Sequence, residues 1–291
     1  MVISWYPGHM RTASRELTRI VKESQAIIEL VDARAPESSS NPMLAALTDG
    51  LPKITVLTKG DLANQDTTSC WKKFIEQTSK TRCLVSDYDN PISARNLLKE
   101  INSILSKRLS ANKQRQIIIA GVPNVGKSTL LNSLIGRKVA NTGNEPAITR
   151  TQQRIKLEQG WYLVDTPGLL WPKLENQDNA KILACLGTIR NTAIDIEEIG
   201  WFLAETLRRE YPNVLKIRYD INEIPESMEI LYESVAQKTG SLLKKGQPDY
   251  RKVSQVLLND FRSGRLGRLS LERPQQTPQF STKARETYFS K

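Results

Sequence analysis

The chain has 291 residues, of which 39% are apolar, and a formal charge of +11. That length suits two domains better than one, and the apolar share excludes wholesale disorder. The charge favours a polyanionic partner such as nucleic acid or an acidic membrane surface, with a solvated basic face as the ordinary alternative. No apolar run approaches the ~18 residues of a membrane span, and no signal-peptide core precedes the first motif. Cys70, Cys83 and Cys185 are widely separated and form no metal-ligand spacing; they read as reduced packing residues of a cytoplasmic protein.

In chain order, "SWYPGHM" (4–10) carries His9, the only histidine. A helix is expected over 11–24, with Arg11, Arg15, Arg19 and Lys22 as a basic stripe and Leu17, Ile20 and Val21 facing elsewhere. "AIIELVDAR" (26–34) reads as a strand, "KITVLTKGDL" (53–62) as another that ends in a loop, 67–78 as a helix, "RCLVS" (82–86) as a strand and 94–109 as an amphipathic helix. "QIIIAG" (116–121) is a strand entering a Gly-rich turn, followed by a helix from Lys127. Residues 154–168 read as two strands meeting near Gln159-Gly160. This alternation predicts a doubly wound, mostly parallel α/β sheet over 1–175. Beyond it three apolar periodicities (195–211, 226–240 and 249–264) predict a small all-helical domain over 176–272. Residues 240–291 hold 11 Lys/Arg against 4 Asp/Glu, and 273–291 read as a mobile tail.

"GVPNVGKST" (121–129) fits GxxxxGK[ST] between a strand and a helix, the context that makes it a phosphate loop. Asn124, Val125, Gly126, Lys127, Ser128 and Thr129 would cradle phosphates with backbone N–H groups at a helix N-terminus. Lys127 supplies charge to the β- and γ-phosphates, and Ser128 can ligate Mg²⁺. "TKGD" (58–61) selects the base: the Asp61 carboxylate accepts the paired N–H groups of guanine, the Lys59 stem covers its face, and Thr58 stands where Asn or Thr is usual. "DTPG" (165–168) ends a strand, so Asp165 reaches Mg²⁺ through water and the Gly168 N–H meets the γ-phosphate. Thr149, with Thr151 as alternative, completes the Mg²⁺ shell. Ser86 and Asp87 are expected as the loop backing the base. The base-reading motif precedes the phosphate loop by about sixty residues, the reverse of the usual GTPase order. A permuted chain can keep the same site.

These pieces, together with "WYPGHM", "ELVDARAPESSSNP", "GVPNVGKSTLLN", "PAITRTQQ" and "DTPGLLWPK", resemble the YlqF/RbgA family of circularly permuted GTPases over nearly the whole chain. The resemblance implies a P-loop NTPase fold, with GTP, GDP and Mg²⁺ as ligands. It also implies hydrolysis coupled to late assembly of the large ribosomal subunit, and a C-terminal helical domain that contacts rRNA. No membrane is involved, and the protein is expected to be monomeric off the ribosome. Thr58 replaces the family's usual Asn, and Ala147 its usual Gly. The position that orients water in many GTPases, directly after DxxG, is Leu169, which cannot do so. Two residues are candidates for that work. Asn124 stands where K⁺-stimulated GTPases carry a cation ligand; otherwise it shapes the loop by a hydrogen bond. His9 is proposed for the family as a catalytic group; otherwise its segment packs or docks on rRNA. A P-loop ATPase and a nucleotide-bound but non-catalytic RNA-binding factor are the other readings.

Overall fold

A computed structural model of the chain describes residues 3, 8–79, 81–105, 115–135, 153–171, 174 and 176–274. Among these residues six strands form one sheet: β1 (Ala26–Asp32), β2 (Lys53–Thr58), β3 (Arg82–Ser86), β4 (Gln116–Gly121), β5 (Gln153–Lys156) and β6 (Tyr162–Asp165), in the order β3-β2-β1-β4-β6-β5. All neighbours are parallel except β5 and β6. β1 and β4 are buried along their whole length, which is why they read as unbroken apolar runs rather than alternating ones. The register sets Asp32 beside Thr58, Thr58 beside Ser86, and Ile119 beside Asp165. The carboxyl ends of the five parallel strands therefore share one rim, where ligands of open α/β sheets bind.

Among the described residues six helices belong to this first unit: α1 (Gly8–Glu23), α2 (Pro36–Ser39), α3 (Pro42–Leu47), α4 (Gln65–Ser79), α5 (Ala94–Leu105) and α6 (Lys127–Ile135). On α1, Arg15, Arg19 and Lys22 are exposed while Leu17 and Ile20 are buried, as the stripe predicts; the Arg11 side chain lies outside the described residues. A small apolar cluster of Val31, Leu57, Cys83 and Trp71 seats α4 on the sheet; each buried side chain of this size stabilises the fold by about 1.5–3 kcal/mol. The second unit contains α7 (Gln177–Cys185), α8 (Ile196–Glu210), α9 (Pro212–Tyr219), α10 (Met228–Thr239) and α11 (Tyr250–Arg262). Asp195, Ser227 and Asp249 cap α8, α10 and α11 by accepting backbone N–H bonds, the usual work of these residue types.

β1 ends two residues earlier than its reading implies, and β2 ends in a loop, as expected. β1 stops at Asp32, and β2 stops at Thr58 because Lys59 turns left-handed (φ 56°) into a 3₁₀ turn over Gly60–Leu62. Four helices escaped the periodicity reading: α2, α3, α7 and α9. Each is nine residues or shorter, and three open on proline, which presets φ at the first helical position. After α11 the chain returns to the first unit. Leu269 N–H donates to Leu62 O, Leu271 N–H to Arg34 O, and Trp71 Nε1–H to Glu272 O. Residues 275–291, expected as tail, lie outside the described residues.

Candidate nucleotide site

β4 delivers the chain into the phosphate loop at Gly121, where a Cβ would come 2.7 Å from Leu30 O; only glycine lets β4 lie this close to β1 there. Gly126 (φ 102°) and Asn124 (φ 58°) supply the positive-φ turns that curl the loop into α6. Lys127, the first residue of α6, is 7% exposed, and its Nζ lies 2.5 Å from Asp165 Oδ1. Burial pushes the Asp165 carboxyl above its ordinary pKa, and Lys127 offsets this only in part. Among the described residues the other oxygen, Asp165 Oδ2, has no hydrogen-bond partner. An orphaned buried carboxylate oxygen facing a phosphate loop fits the donor set of a hydrated Mg²⁺ ion, with half-buried Ser128 on the adjoining helix turn. Gly168 passes close by: a Cβ there would sit 2.8 Å from Pro123 Cα.

The base side is built around the end of β2. The Thr58 hydroxyl donates to Val125 O at 2.5 Å and also lies 3.1 Å from Val31 O, so it ties the rim of β2 to the phosphate loop. Lys59 Nζ donates to Asn124 O (2.7 Å) and to Asp32 Oδ2 (2.8 Å). Asp61 Oδ1 accepts the Tyr88 N–H at 3.0 Å. The Asp87 carboxylate lies so close to Gly60 that a Cβ would come 2.3 Å from Oδ1. The loop after Ser86 is thereby brought against "TKGD". Burial, with Asp61 nearby, raises the Asp87 pKa.

Asp32 and Arg34, in the "VDAR" segment, received no role from sequence. Both are 1% exposed. Arg34 grips Asp32 with two side-chain bonds, Nε to Oδ1 (2.9 Å) and Nη2 to Oδ2 (2.8 Å). Burial alone would raise the Asp32 pKa; Arg34 and Lys59 together outweigh it and hold the carboxyl well below the usual carboxylate range. The available signal was an Asp and an Arg two residues apart at the end of a buried strand, where neither belongs without a partner.

Leu169 is 2% exposed and packs into the core. Its N–H donates to Gly121 O, and its carbonyl accepts from Asn41 Nδ2 at 2.8 Å. The residue that stands in the water-orienting position is thus a core residue. Asn124 Nδ2 donates to Gly187 O at 2.8 Å, the loop-shaping bond that sequence held open beside cation binding. His9 falls within α1, but its side chain, like all of Thr149 and Thr151, lies outside the described residues.

In sum, the rim holds a phosphate-binding loop, a lysine–carboxylate pair suited to a metal ion, and a carboxylate edge suited to a purine's paired N–H groups. Comparison with known proteins agrees. A family model described as 50S ribosome-binding GTPase matches residues 116–215. The chain is 36% identical over 282 residues to ribosome biogenesis GTPase A of Bacillus licheniformis, covering 94% of this chain and 99% of that protein. It is 30% identical to the mouse mitochondrial ribosome-associated GTPase 1, covering 94% and 90%. Among solved structures, GNP-bound YlqF from T. maritima superposes with a TM-score of 0.63 at 25% identity, over 91% of this chain and 99% of that one. The GDP-bound form gives 0.62 at 26% identity, over 89% and 99%. This chain belongs to the ribosome biogenesis GTPase A family.

Proposed function

We propose that the protein binds and hydrolyses GTP with Mg²⁺ while it acts on a precursor of the large ribosomal subunit, and that GTP orders it for binding and hydrolysis releases it. One observation carries the enzymatic part of this reading. Lys127 and the half-orphaned Asp165 face each other across the phosphate loop, with Asp61 on the same rim. Lys127 leaves Asp165 for the β- and γ-phosphate oxygens, the Ser128 hydroxyl and a water on Asp165 hold the metal, and the Gly168 N–H turns to the γ-phosphate. Ser128 and Asp165 would hold the Mg²⁺ ion, which would supply positive charge against the charge that develops on the phosphates. Thr149 is assigned the remaining protein ligand.

Asp61 reads guanine by accepting its N1–H and 2-amino groups. Asp61→Asn should therefore shift preference toward xanthosine triphosphate, whose 2-oxo group accepts from an amide. A preference for GTP unchanged in this variant would remove Asp61 from base reading.

With Leu169 in the core, a polar contact to the attacking water comes from elsewhere. Asn124, whose amide nitrogen donates to Gly187 O, is one source, through a K⁺ ion. His9, on the N-terminal segment, is the second source. Turnover should fall when Na⁺ replaces K⁺, and His9→Ala should lower particle-stimulated kcat; an unchanged rate in either assay removes that group from the mechanism. The exposed stripe of Arg15, Arg19 and Lys22, and the basic C-terminal half of the helical unit, supply charge for rRNA phosphates. The family relationship supports the ribosomal partner, and the protein is read as cytoplasmic and monomeric off the particle.

A further inference from the structure

Two routes run from the phosphate loop into the helical unit, and they end on adjacent residues of α11. The first starts at the Asn124 carbonyl, which accepts from Lys59 Nζ. Lys59 is held by Asp32, Asp32 by Arg34, and Arg34 Nη1 donates to Phe261 O at 3.2 Å while its guanidinium lies 4.8 Å from the Phe261 ring centroid. The second starts at the Asn124 side chain, which donates to Gly187 O. The turn carrying Gly187 follows α7, whose last carbonyls are gripped by Arg262: Nη2 to Ala184 O (2.7 Å) and Nε to Cys185 O (2.9 Å). Helix C-termini leave carbonyls without partners, and a guanidinium there gains from both the bonds and the helix dipole. Gly187 has φ 78°, and a Cβ on it would come 3.2 Å from Arg262 Nε, so the turn and the guanidinium are fitted closely.

We propose that Arg34 and Arg262 are positioning residues of the nucleotide site: through them the end of α11 fixes Lys59 and both polar ends of Asn124, so that nucleotide binding and the docking of α11 are energetically coupled. The physical basis is that neither arm touches the phosphates, yet each restrains a loop whose N–H groups must converge within tenths of an ångström on phosphate oxygens. Arg34 is fully buried and has no alternative acceptor in water, so moving α11 breaks its bond to Phe261 O at a desolvation cost. Coupling of this kind is reciprocal: whatever α11 docking does for nucleotide affinity, nucleotide must do for α11. The inference rests on placing Lys59 and Asn124 in the GTP site.

The test has two arms. In the wild-type chain, hydrogen exchange is followed with and without GDP at residues 259–263 and 184–188; GDP should slow exchange at both several-fold. In Arg262→Gln and Arg34→Lys, dissociation of a fluorescent GDP analogue should accelerate about tenfold and the KM for GTP should rise, with kcat changed less than threefold and Arg262→Lys recovering part of the loss. A merely structural role would lower the active fraction, and so apparent kcat, with KM unchanged. Exchange at both segments insensitive to bound GDP, or folded variants with wild-type KM and GDP release, would overturn the coupling while leaving the GTP site standing. Failure of the wild-type chain to bind GDP would overturn the site and the coupling together.

Discussion

Two lysines of the site lie against buried carboxylates, and the two pairs are built differently. On the base side, Asp32 takes Lys59 and a bidentate Arg34, and both its oxygens are satisfied. On the phosphate side, Asp165 has Lys127 alone and an oxygen without a partner among the described residues. The first pair outweighs its burial and the second does not, so their pKa values move in opposite directions. A buried ion pair with every lone pair satisfied holds a shape; one left incomplete is expensive unless something completes it. On the proposed function the base side is a fixed frame, and the phosphate side is a set of groups that would exchange partners on binding nucleotide and metal.

The sharpest way to break this contrast is Lys127→Ala. It removes the cation from the phosphates and also leaves Asp165 buried without its counter-charge. Nucleotide affinity should fall by about a hundredfold or more, near 3 kcal/mol, with turnover at background; calorimetric titration and phosphate release read both. Near-wild-type affinity would mean that the lysine serves the fold and not the ligand.

Leu169→Gln asks whether the phosphate side lacks only a glutamine. Because this side chain sits in the core, the amide would be buried among apolar neighbours at about 2–3 kcal/mol of stability, read by denaturant unfolding. Turnover should not rise. A gain in intrinsic hydrolysis would show that the segment swings outward.

Gly168→Ala is a smaller insult. The new Cβ meets the Pro123 backbone at 2.8 Å, so the DTPG segment must retreat from the phosphate loop. We expect kcat to fall about tenfold and GDP affinity to change less than threefold, since GDP does not need the γ-phosphate contact. Equal losses in both would erase the distinction between the two sides.

The smallest effect concerns the strap that returns to the base side. The Glu272 carboxylate accepts from the N–H groups of Glu37 and Ser38 and from the Ser38 hydroxyl. Burial nevertheless raises its pKa from 4.5 to about 7. A raised carboxyl pKa means that the folded state binds the proton more tightly than the unfolded chain. Its stabilising contribution is therefore complete below about pH 4.5 and is lost as pH rises through about 7. Solvent screening of this half-buried group limits the change to about 1 kcal/mol. Glu272→Gln should flatten that part of the stability–pH curve, and an unchanged slope would place the titration elsewhere.

The same contrast explains what could be read from sequence. The sheet was legible because its strands are continuous apolar runs, and β3 and β4 have the boundaries that their sequences imply. The phosphate-loop pattern and "TKGD" stand out because phosphate and guanine chemistry demand fixed residues at fixed spacing, and the fold brings the two segments to one rim. What was not legible depends on residues far apart in the chain. Arg34 has its meaning only when Phe261 is beside it, and Arg262 only when α7 ends beneath it. Leu169 could be recognised as unable to orient water, but its burial follows from Asn41 and Gly121, which fix its backbone. Short helices such as α2 and α9 offer too few turns for a period to show.

On the proposed function, the site would hydrolyse GTP slowly until the ribosomal partner completes it. The direct measurement is steady-state GTP turnover in K⁺ and Mg²⁺, with and without purified large-subunit precursor. The account predicts at least a tenfold rise in turnover with the particle, lost in Lys127→Ala. Turnover that is the same with and without the particle would contradict it.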